Sequence, residues 1–508
     1  MVRIFFFLFC FIGCAHQLSA QFFPKEGAQL CYRLIGFSFP AEAGVTDYKI
    51  EVAIGSFASA ADFEQHITTS VSGKKNRIIA EMPYFGSVYT WRTTSYSGSK
   101  IKSRSQLRHF NIKITPDVDT NITRLRIIKP GKKHLDGYVF IDGARALYDM
   151  NGKPVWFLPG TDSKASRKAT PRDMKATRQG TITFITNGDV YEVTYGGNIR
   201  WQSNINNPGF RHFHHEFTRL GNGHYMGLLS ELSYVDVFKL HAFKDSIAKN
   251  AHDSARYYQK AWMNNIVEYD EKGKLIWQWN GYDYLKRSDV YGVIKSDSLF
   301  DVNDLHDNAF FFDEKNKAIY LSFRNINRVI KIGYPHGNVL NTYGPEYKPG
   351  LKEMHNELFC GQHSCRIAQN GNLYLFNNNI CGATHIPTVA RFTEPLQGGG
   401  LKKVWEYQCL IEDKEVMRND TAGFISGGDV LELEDQSIFV SMGIPYCKLF
   451  IVDIAKHEEW SAIPEKFDGD RDKWMPFSRE NLYRASFVSR KQLEEMIWNA
   501  EKYEPHGH

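Results

Sequence analysis

The chain has no long apolar run beyond its first residues, no block of one charge and few cysteines, and each of these lacks narrows what it can be. No later stretch approaches the roughly 20 apolar residues that a membrane-spanning helix needs, so no span is expected in the mature chain. The 62 Lys and Arg stand against 57 Asp and Glu, a formal charge of +5, and they are scattered along the sequence. Neither nucleic acid nor an anionic membrane surface is therefore implied as the main partner. Of the 8 cysteines, Cys10 and Cys14 lie in the N-terminal segment, leaving Cys31, Cys360, Cys365, Cys381, Cys409 and Cys447. An even number in an exported protein permits bridges without giving their pairing, and buried thiols are an equal alternative. Any bridges are expected to brace the last third of the chain, where five of the six fall.

What is present begins at the N-terminus. Arg3 precedes an apolar run from Ile4 to Ile12, and Leu18-Ser19-Ala20 supplies the small residues of a cleavage site. This reads as a secretory signal over residues 1–20, which places the mature protein in the periplasm or outside the cell. In an alternative reading, Phe11-Ile12-Gly13-Cys14 loosely resembles a lipoprotein box, with a lipid on Cys14.

The 508 residues leave room for one large domain and one small one. Residues 21–120 carry short alternating segments such as Tyr48-Lys49-Ile50-Glu51-Val52 and Tyr89-Thr90-Trp91-Arg92, separated by turn residues. They predict a small β-sandwich of immunoglobulin or fibronectin III type, without a cluster of reactive side chains. Residues 121–488 repeat a strand-turn-strand unit that ends in tryptophan or another large apolar residue. The copies run Leu147 to Trp156, Val190 to Trp201, Val267 to Trp277, Val329 to Leu340, Val389 to Trp405, and Leu449 to Trp460. Six outer hairpins at blade-sized spacing predict an all-β chain built on a six-bladed β-propeller. The polar stretch from Leu232 to Asn264 has helical character and is expected to insert between strands of one blade. Leu482 to Val488 is expected to close the ring. Residues 489–508 should form a C-terminal helix and tail, with Ser489 and Gln492 spaced as a capping box.

Within the repeat, His215, His306 and His363 each stand seven residues before a turn, at Asn222, Asp313 and Asn370. The last blade keeps the interval from Gly428 to Asp435, and Arg172 takes the position in another, so the fold itself does not ask for histidine there. Three imidazoles should then meet at one end of the propeller axis. Arg324 ends the strand Ile319-Tyr320-Leu321-Ser322-Phe323, and Asn308 follows His306 closely. A forked guanidinium and neutral donors around histidines suit an anionic tetrahedral group such as sulfate.

These residues resemble the bacterial arylsulfate sulfotransferases, which move sulfuryl groups between phenols without a nucleotide donor. The resemblance covers roughly Leu125 to Val488. It rests on His214-His215-Glu216-Phe217 with Leu220-Gly221-Asn222-Gly223, on Leu305-His306-Asp307-Asn308 with Ser322-Phe323-Arg324, and on Gln362-His363 with Gln369-Asn370-Gly371. It implies that His363 is the nucleophile that becomes a sulfohistidine. His215, His306, Asn308 and Arg324 would hold the sulfuryl oxygens, with His306 also handling the phenolic proton. His214 is the alternative to His215, since neighbouring strand residues face opposite ways. Neither cofactor nor metal is implied; the partners are a small aryl sulfate and a phenolic acceptor, and pairing with a second copy as a homodimer stays open. Two departures stand out. The hydroxyl expected from the last blade has Thr421, Ser426 and Ser441 as candidates, and Cys360 and Cys365 flank His363 instead of forming a close pair before it.

Two other readings compete. Three convergent histidines, with Glu216 and Asp307 beside two of them, could bind the metal of a propeller lyase or oxygenase, although Arg324 would repel the cation. A non-catalytic binding propeller would keep the fold and lose turnover.

Overall fold

Alternating apolar residues broken by Gly, Asn and Asp turns produce strands with one packed face each, and strands dominate this chain. A computed structural model of the protein describes residues 22–114, 122–160, 170–203, 211–236, 258–283, 294–296, 299–300, 306–344, 358–381, 385–395, 400–411, 427–477 and 482–503. The chain divides into two compact units, Met1–Lys113 and Ile114–His508. The expected signal segment lies outside the described residues.

In the first unit a six-stranded and a two-stranded sheet enclose one core. The two segments singled out above fall on Asp47–Ile54 and Ser87–Ser97. These pair antiparallel with Glu51 opposite Arg92, and the Arg92 guanidinium donates to the Glu51 carboxylate at 2.8 Å. Phe37, on the smaller sheet, meets Trp91 of the larger one edge-on with ring centroids 4.9 Å apart. A short helix, Ala60–Gln65, is capped by Ser59.

The second unit is a β-propeller of four-stranded antiparallel sheets. From the inner strand outward, the second sheet runs Arg172–Ala176, Ile182–Thr186, Asp189–Val193 and Ile199–Gln202. The third runs Arg211–Arg219, Tyr225–Asp236, Tyr258–Tyr269 and Leu275–Asn280. The fourth runs Asp307–Asp313, Ala318–Phe323, Arg328–Gly333 and Val339–Tyr343, and the fifth His363–Ile367, Leu373–Asn377, Thr388–Thr393 and Lys402–Gln408. The sixth begins with Asp429–Glu432, Ile438–Ser441, Leu449–Val452 and Glu458–Asp468. The first sheet takes Tyr138–Ile141, Ala146–Asp149 and Pro154–Phe157 from one end of the unit and its inner strand, Ala485–Val488, from the other. Thr123–Lys129 in turn pairs with Glu458–Asp468 of the sixth sheet. The circle is thus closed twice, and the inner strands touch one another in an unbroken succession.

The cores lie between neighbouring sheets, because each strand turns alternate residues to either side. Val190, Phe213 and Leu229 join the second and third sheets. Leu228, Ile266, Phe310 and Ile330 join the third and fourth, and Phe376, Val389, Val440 and Phe450 the fifth and sixth.

Four of the tryptophans that mark the repeat have a second task. Trp156 donates its indole hydrogen to Tyr195 O at 2.7 Å, Trp277 to Pro335 O at 2.7 Å, Trp405 to Ile454 O at 2.9 Å and Trp460 to Met150 O at 2.9 Å. Each bond runs from the fourth strand of a sheet to a turn of the next sheet, and the Trp460 bond crosses from last sheet to first. Trp460→Phe should therefore leave a buried carbonyl unsatisfied, at a cost of about 1–2 kcal/mol, and Trp460→Ala should cost about 3–5 kcal/mol. Denaturant unfolding measures both; a Phe variant as stable as the parent would contradict the stitching role.

The expected helical insertion is not borne out at its ends. Tyr225–Asp236 and Tyr258–Tyr269 are continuous paired strands, with Asp236 opposite Tyr258, and residues 237–257 lie outside the described residues. Alternation of Met226, Leu228, Ile266 and their neighbours carries the strands further than the polar composition suggested. At the C-terminus the helix Arg490–Tyr503 has the reciprocal cap read from the sequence: Ser489 N donates to Gln492 Oε1 at 2.9 Å, and Gln492 N to Ser489 Oγ at 3.3 Å. Among the described residues no helix is long and apolar enough to cross a membrane.

Candidate active site

Five of the inner strands carry a local break at or near their entry. Asp173, His215, His306, Ser364 and Gly428 all have left-handed backbone, with φ of 55°, 57°, 55°, 52° and 103°. Side chains with a Cβ adopt this conformation sparingly, Asp and His more readily than most. In the sixth sheet only glycine serves, since a Cβ on Gly428 would lie 2.2 Å from the Phe376 ring. In the second, third and fifth sheets a register shift spans this residue, and in the fourth it falls just after His306. The break aims consecutive side chains toward one end of the axis.

The seven-residue spacing is therefore an imperfect guide to backbone position. His215 and His306 occupy the left-handed position, whereas in the fifth sheet Ser364 takes it and His363 precedes it, as Arg172 precedes Asp173. The imidazoles nevertheless meet: His215 lies 4.8 Å from His306 and 6.2 Å from His363, between ring centroids. The break also decides between the two adjacent histidines. His215 faces the cluster, while His214 stands behind it with Nδ1 2.7 Å from His215 Nδ1.

Arg324 is half-buried beside the cluster; its backbone N–H donates to His306 O at 2.9 Å, and its Nη1 donates to Asn325 Oδ1 at 3.0 Å. Asn308, read from the sequence as a sulfuryl-binding group, is fully buried and donates its amide to Gln362 O at 2.8 Å. Its observed work is to hold the segment before His363. Gln362 extends that hold, donating to Ser322 Oγ, Phe323 O and Arg328 O at 3.1, 2.9 and 3.1 Å. Gly361 N donates to Asn327 Oδ1 at 2.6 Å, and Cys360 is bridged to Cys381 with Cα atoms 5.8 Å apart. Cys31, Cys365, Cys409 and Cys447 are buried thiols. His363 thus projects from a segment fixed by side-chain amides and a covalent link.

Two residues of the site were missed from the sequence, Tyr483 and Arg484. They stand at the entry of Ala485–Val488, the phase that holds the histidines in other sheets, so extending the repeat to the recognised closing strand would have found them. The Tyr483 hydroxyl is 3.0 Å from His363 Nε2, and its ring lies 5.6 Å from those of His215 and His363. Arg484 is buried at the centre. It donates to Asp173 Oδ1 and Asn308 O, each at 3.0 Å, and to a Glu216 oxygen, and one Nη2 approaches His363 Nδ1 at 3.5 Å. Lys175 completes the network, with Asp173 Oδ2 at 2.8 Å and Glu216 Oε1 at 2.6 Å. Of the expected last-blade hydroxyls, Thr421 and Ser426 lie outside the described residues. Ser441 is buried and accepts from Ala485 N at 3.1 Å, so it supports the closing strand.

Charge states follow from this enclosure. Burial, together with Arg484 and His306, holds His363 well below the usual imidazole value of 6.5. Burial, His214 and His306 do the same for His215, and burial takes His214 down to about 3. Burial and the nearby Glu216 raise Asp173 to about 6. Glu216 itself stays ionised, because Arg484 and Lys175 outweigh its desolvation. The result is neutral imidazoles with available lone pairs beside fixed cations. Among the described residues, the three-donor set of His, Cys, Asp or Glu gathered within 4.8 Å is His134, Asp435 and Glu459. The site histidines are not part of it, and Arg484 among them opposes the electrostatics of a cation site.

The arylsulfotransferase (ASST) family model matches residues 140–394, which is half of the chain and includes His215, His306, Arg324 and His363. The chain belongs to the arylsulfotransferase (ASST) family. Membership assigns this arylsulfotransferase a sulfuryl-transfer chemistry with small aryl sulfate and phenol substrates. Among curated proteins none matches the sequence. Its fold is similar to that of a Bacteroides caccae protein of unknown function, at 12% identity and TM-score 0.38 over 72% of this chain and 99% of that one. It is similar also to a streptogramin B lyase, at 10% identity and TM-score 0.36 over 66% of this chain and 87% of that one. Likenesses of this degree bear on nothing beyond the fold.

Proposed function

We propose that this arylsulfotransferase works by two displacements at one centre, with His363 as the covalent carrier. The observation that supports this most is the state of His363: a neutral imidazole, rigidly held, among two other imidazoles and the cations Arg324 and Arg484. In the first displacement a His363 ring nitrogen gives its lone pair to sulfur while the sulfur–oxygen bond breaks, and that electron pair leaves on the phenolic oxygen. In the second the acceptor oxygen attacks the same sulfur, and the nitrogen–sulfur pair returns to His363. Splitting the transfer this way is covalent catalysis. His215 and Arg324 are assigned to the sulfuryl oxygens as preorganised donors. His306 is assigned to take the acceptor's proton and pass it to a departing phenolate. Asn308 is assigned to holding the strand entry, and His214 to orienting His215. Export through the N-terminal segment remains part of the proposal, as the setting in which a donor needing no nucleotide would serve.

The test is nitrophenol release from nitrophenyl sulfate by chelator-treated protein, with and without added phenol. Acceptor-dependent release is expected; no release from any aryl sulfate, or release only with added metal, would overturn the reading. The same assay carries a pH prediction. Protonation removes the attacking lone pair, and the depressed His363 value moves that loss to lower pH. The acid limb of kcat/KM should therefore lie below pH 6.5. A limb centred at or above that value would mean that His363 is not held neutral as described.

A further inference from the structure

We infer that Arg172 is a specificity residue of this site, which meets a carboxylate carried on the aromatic ring of the substrate and so favours aryl sulfates and phenols with a second negative charge. The inference rests on the two-displacement reading above and deepens it by naming the substrate class.

Arg172 holds in the second sheet the place that His363 holds in the fifth, each standing directly before a left-handed residue, Asp173 and Ser364. The repeat therefore brings it to the end of the axis where the imidazoles meet. Its guanidinium carbon lies 5.6 Å from the centroid of the Tyr483 ring, and the same ring stands 5.6 Å from those of His215 and His363. Unlike Arg484 it is exposed, and among the described residues no carboxylate pairs with it. The carboxylates of the buried network are engaged elsewhere. Asp173 accepts from Arg484 at 3.0 Å with one oxygen and from Lys175 at 2.8 Å with the other, and Glu216 is shared by the same two cations. Two buried carboxylates thus face two cations, and Arg172 is left over as a solvent-facing charge. Its contact with the aromatic ring contributes about 0.5–1 kcal/mol to keeping it in place.

The reaction brings a substrate group toward it. The sulfuryl group is assigned to the histidines and Arg324, and a displacement that runs in line, as in phosphoryl transfer, breaks the bond pointing away from the nucleophile. The arene therefore extends out of the imidazole cluster, and its far edge comes within reach of a side chain set one ring back from the histidines. A para carboxylate lies at that edge. It matches the planar fork of a guanidinium, which offers two parallel donors, whereas a neutral para substituent gains nothing from it. Arg172 takes no part in bond making: the His363 lone pair, the sulfur–oxygen pair and the acceptor's proton move as described above. Because the carboxylate is the same in bound substrate and transition state, the contact is made equally in both and shows in KM more than in kcat.

The test uses two donors with phenol as acceptor, the sulfate esters of para-hydroxybenzoate and of para-cresol. The quantity read is the ratio of their kcat/KM values in parent and variant, since the differing basicity of the two phenols cancels in that comparison. Arg172→Gln should lower kcat/KM for the carboxylated ester about tenfold more than for the methylated one, the scale of one charge-assisted contact, with the change carried by KM. Arg172→Glu should lower it further. Added salt should narrow the parent's ratio more than that of Arg172→Gln. Equal losses for both esters, or none, would overturn the inference, the first making Arg172 a support for the Tyr483 ring and the second an idle surface charge. A parent that transfers from neither ester would defeat the two-displacement reading instead, whereas a parent that transfers from both and loses no selectivity in the variants defeats only the role of Arg172.

Discussion

His363→Asn is expected to lower sulfuryl transfer roughly 10⁴-fold or more, the scale seen when a covalent nucleophile is removed, while leaving the fold intact. Asparagine keeps a polar amide of smaller volume, so the change strikes the chemistry before the packing. The His363 segment is held mainly through Gln362, Gly361 and the Cys360–Cys381 bridge, none of which the substitution touches. Steady-state kinetics beside a melting curve measures both halves. A variant with a tenth of the parent rate would mean that the histidine assists transfer without carrying the group.

Arg484→Met should destabilise the protein by about 3–5 kcal/mol, because it leaves buried carboxylates without their main countercharge. The Arg484 side chain is 2% exposed and its partners Asp173 and Glu216 are 3% and 4% exposed. Lys175 can balance one carboxylate but not both. The deficit should shrink when Glu216→Gln is added, since the second change removes the stranded charge. Denaturant unfolding of the two single variants and the double variant measures this coupling. Additive losses would mean that the network contributes through packing alone.

The propeller was legible because its repeat is carried by residues with a repeated physical task. The tryptophans that close the outer hairpins bond to the next sheet, and the turns recur because four-stranded sheets need them. The site was legible in part for the same reason: His215, His306 and His363 share a phase, and the phase meets at one end of the axis. What escaped was set by geometry that sequence spacing does not encode. Five inner strands carry a left-handed residue whose place shifts by one, so counting seven residues aligned His363 with His215 although Ser364 takes the left-handed conformation. Alternation left His214 and His215 as alternatives, and the backbone break at His215 decides between them. Asn308 stood close to His306 in sequence and was read as a ligand group, yet its amide is taken by Gln362 O. Tyr483 and Arg484 were missed because the strand they introduce completes a sheet whose other strands begin near residue 138. Asp173, Lys175 and Glu216 gave no sign of forming a network, because the residue that joins them comes from that distant strand.

The most direct test is to mix the protein with an aryl sulfate in the absence of acceptor, quench in base, and map the modified peptide by mass spectrometry. One added sulfuryl group is expected on His363, lost when phenol is supplied before the quench and absent in His363→Asn. Efficient transfer to phenol with no sulfuryl group on His363 at any time would contradict it, and would point to direct displacement between donor and acceptor.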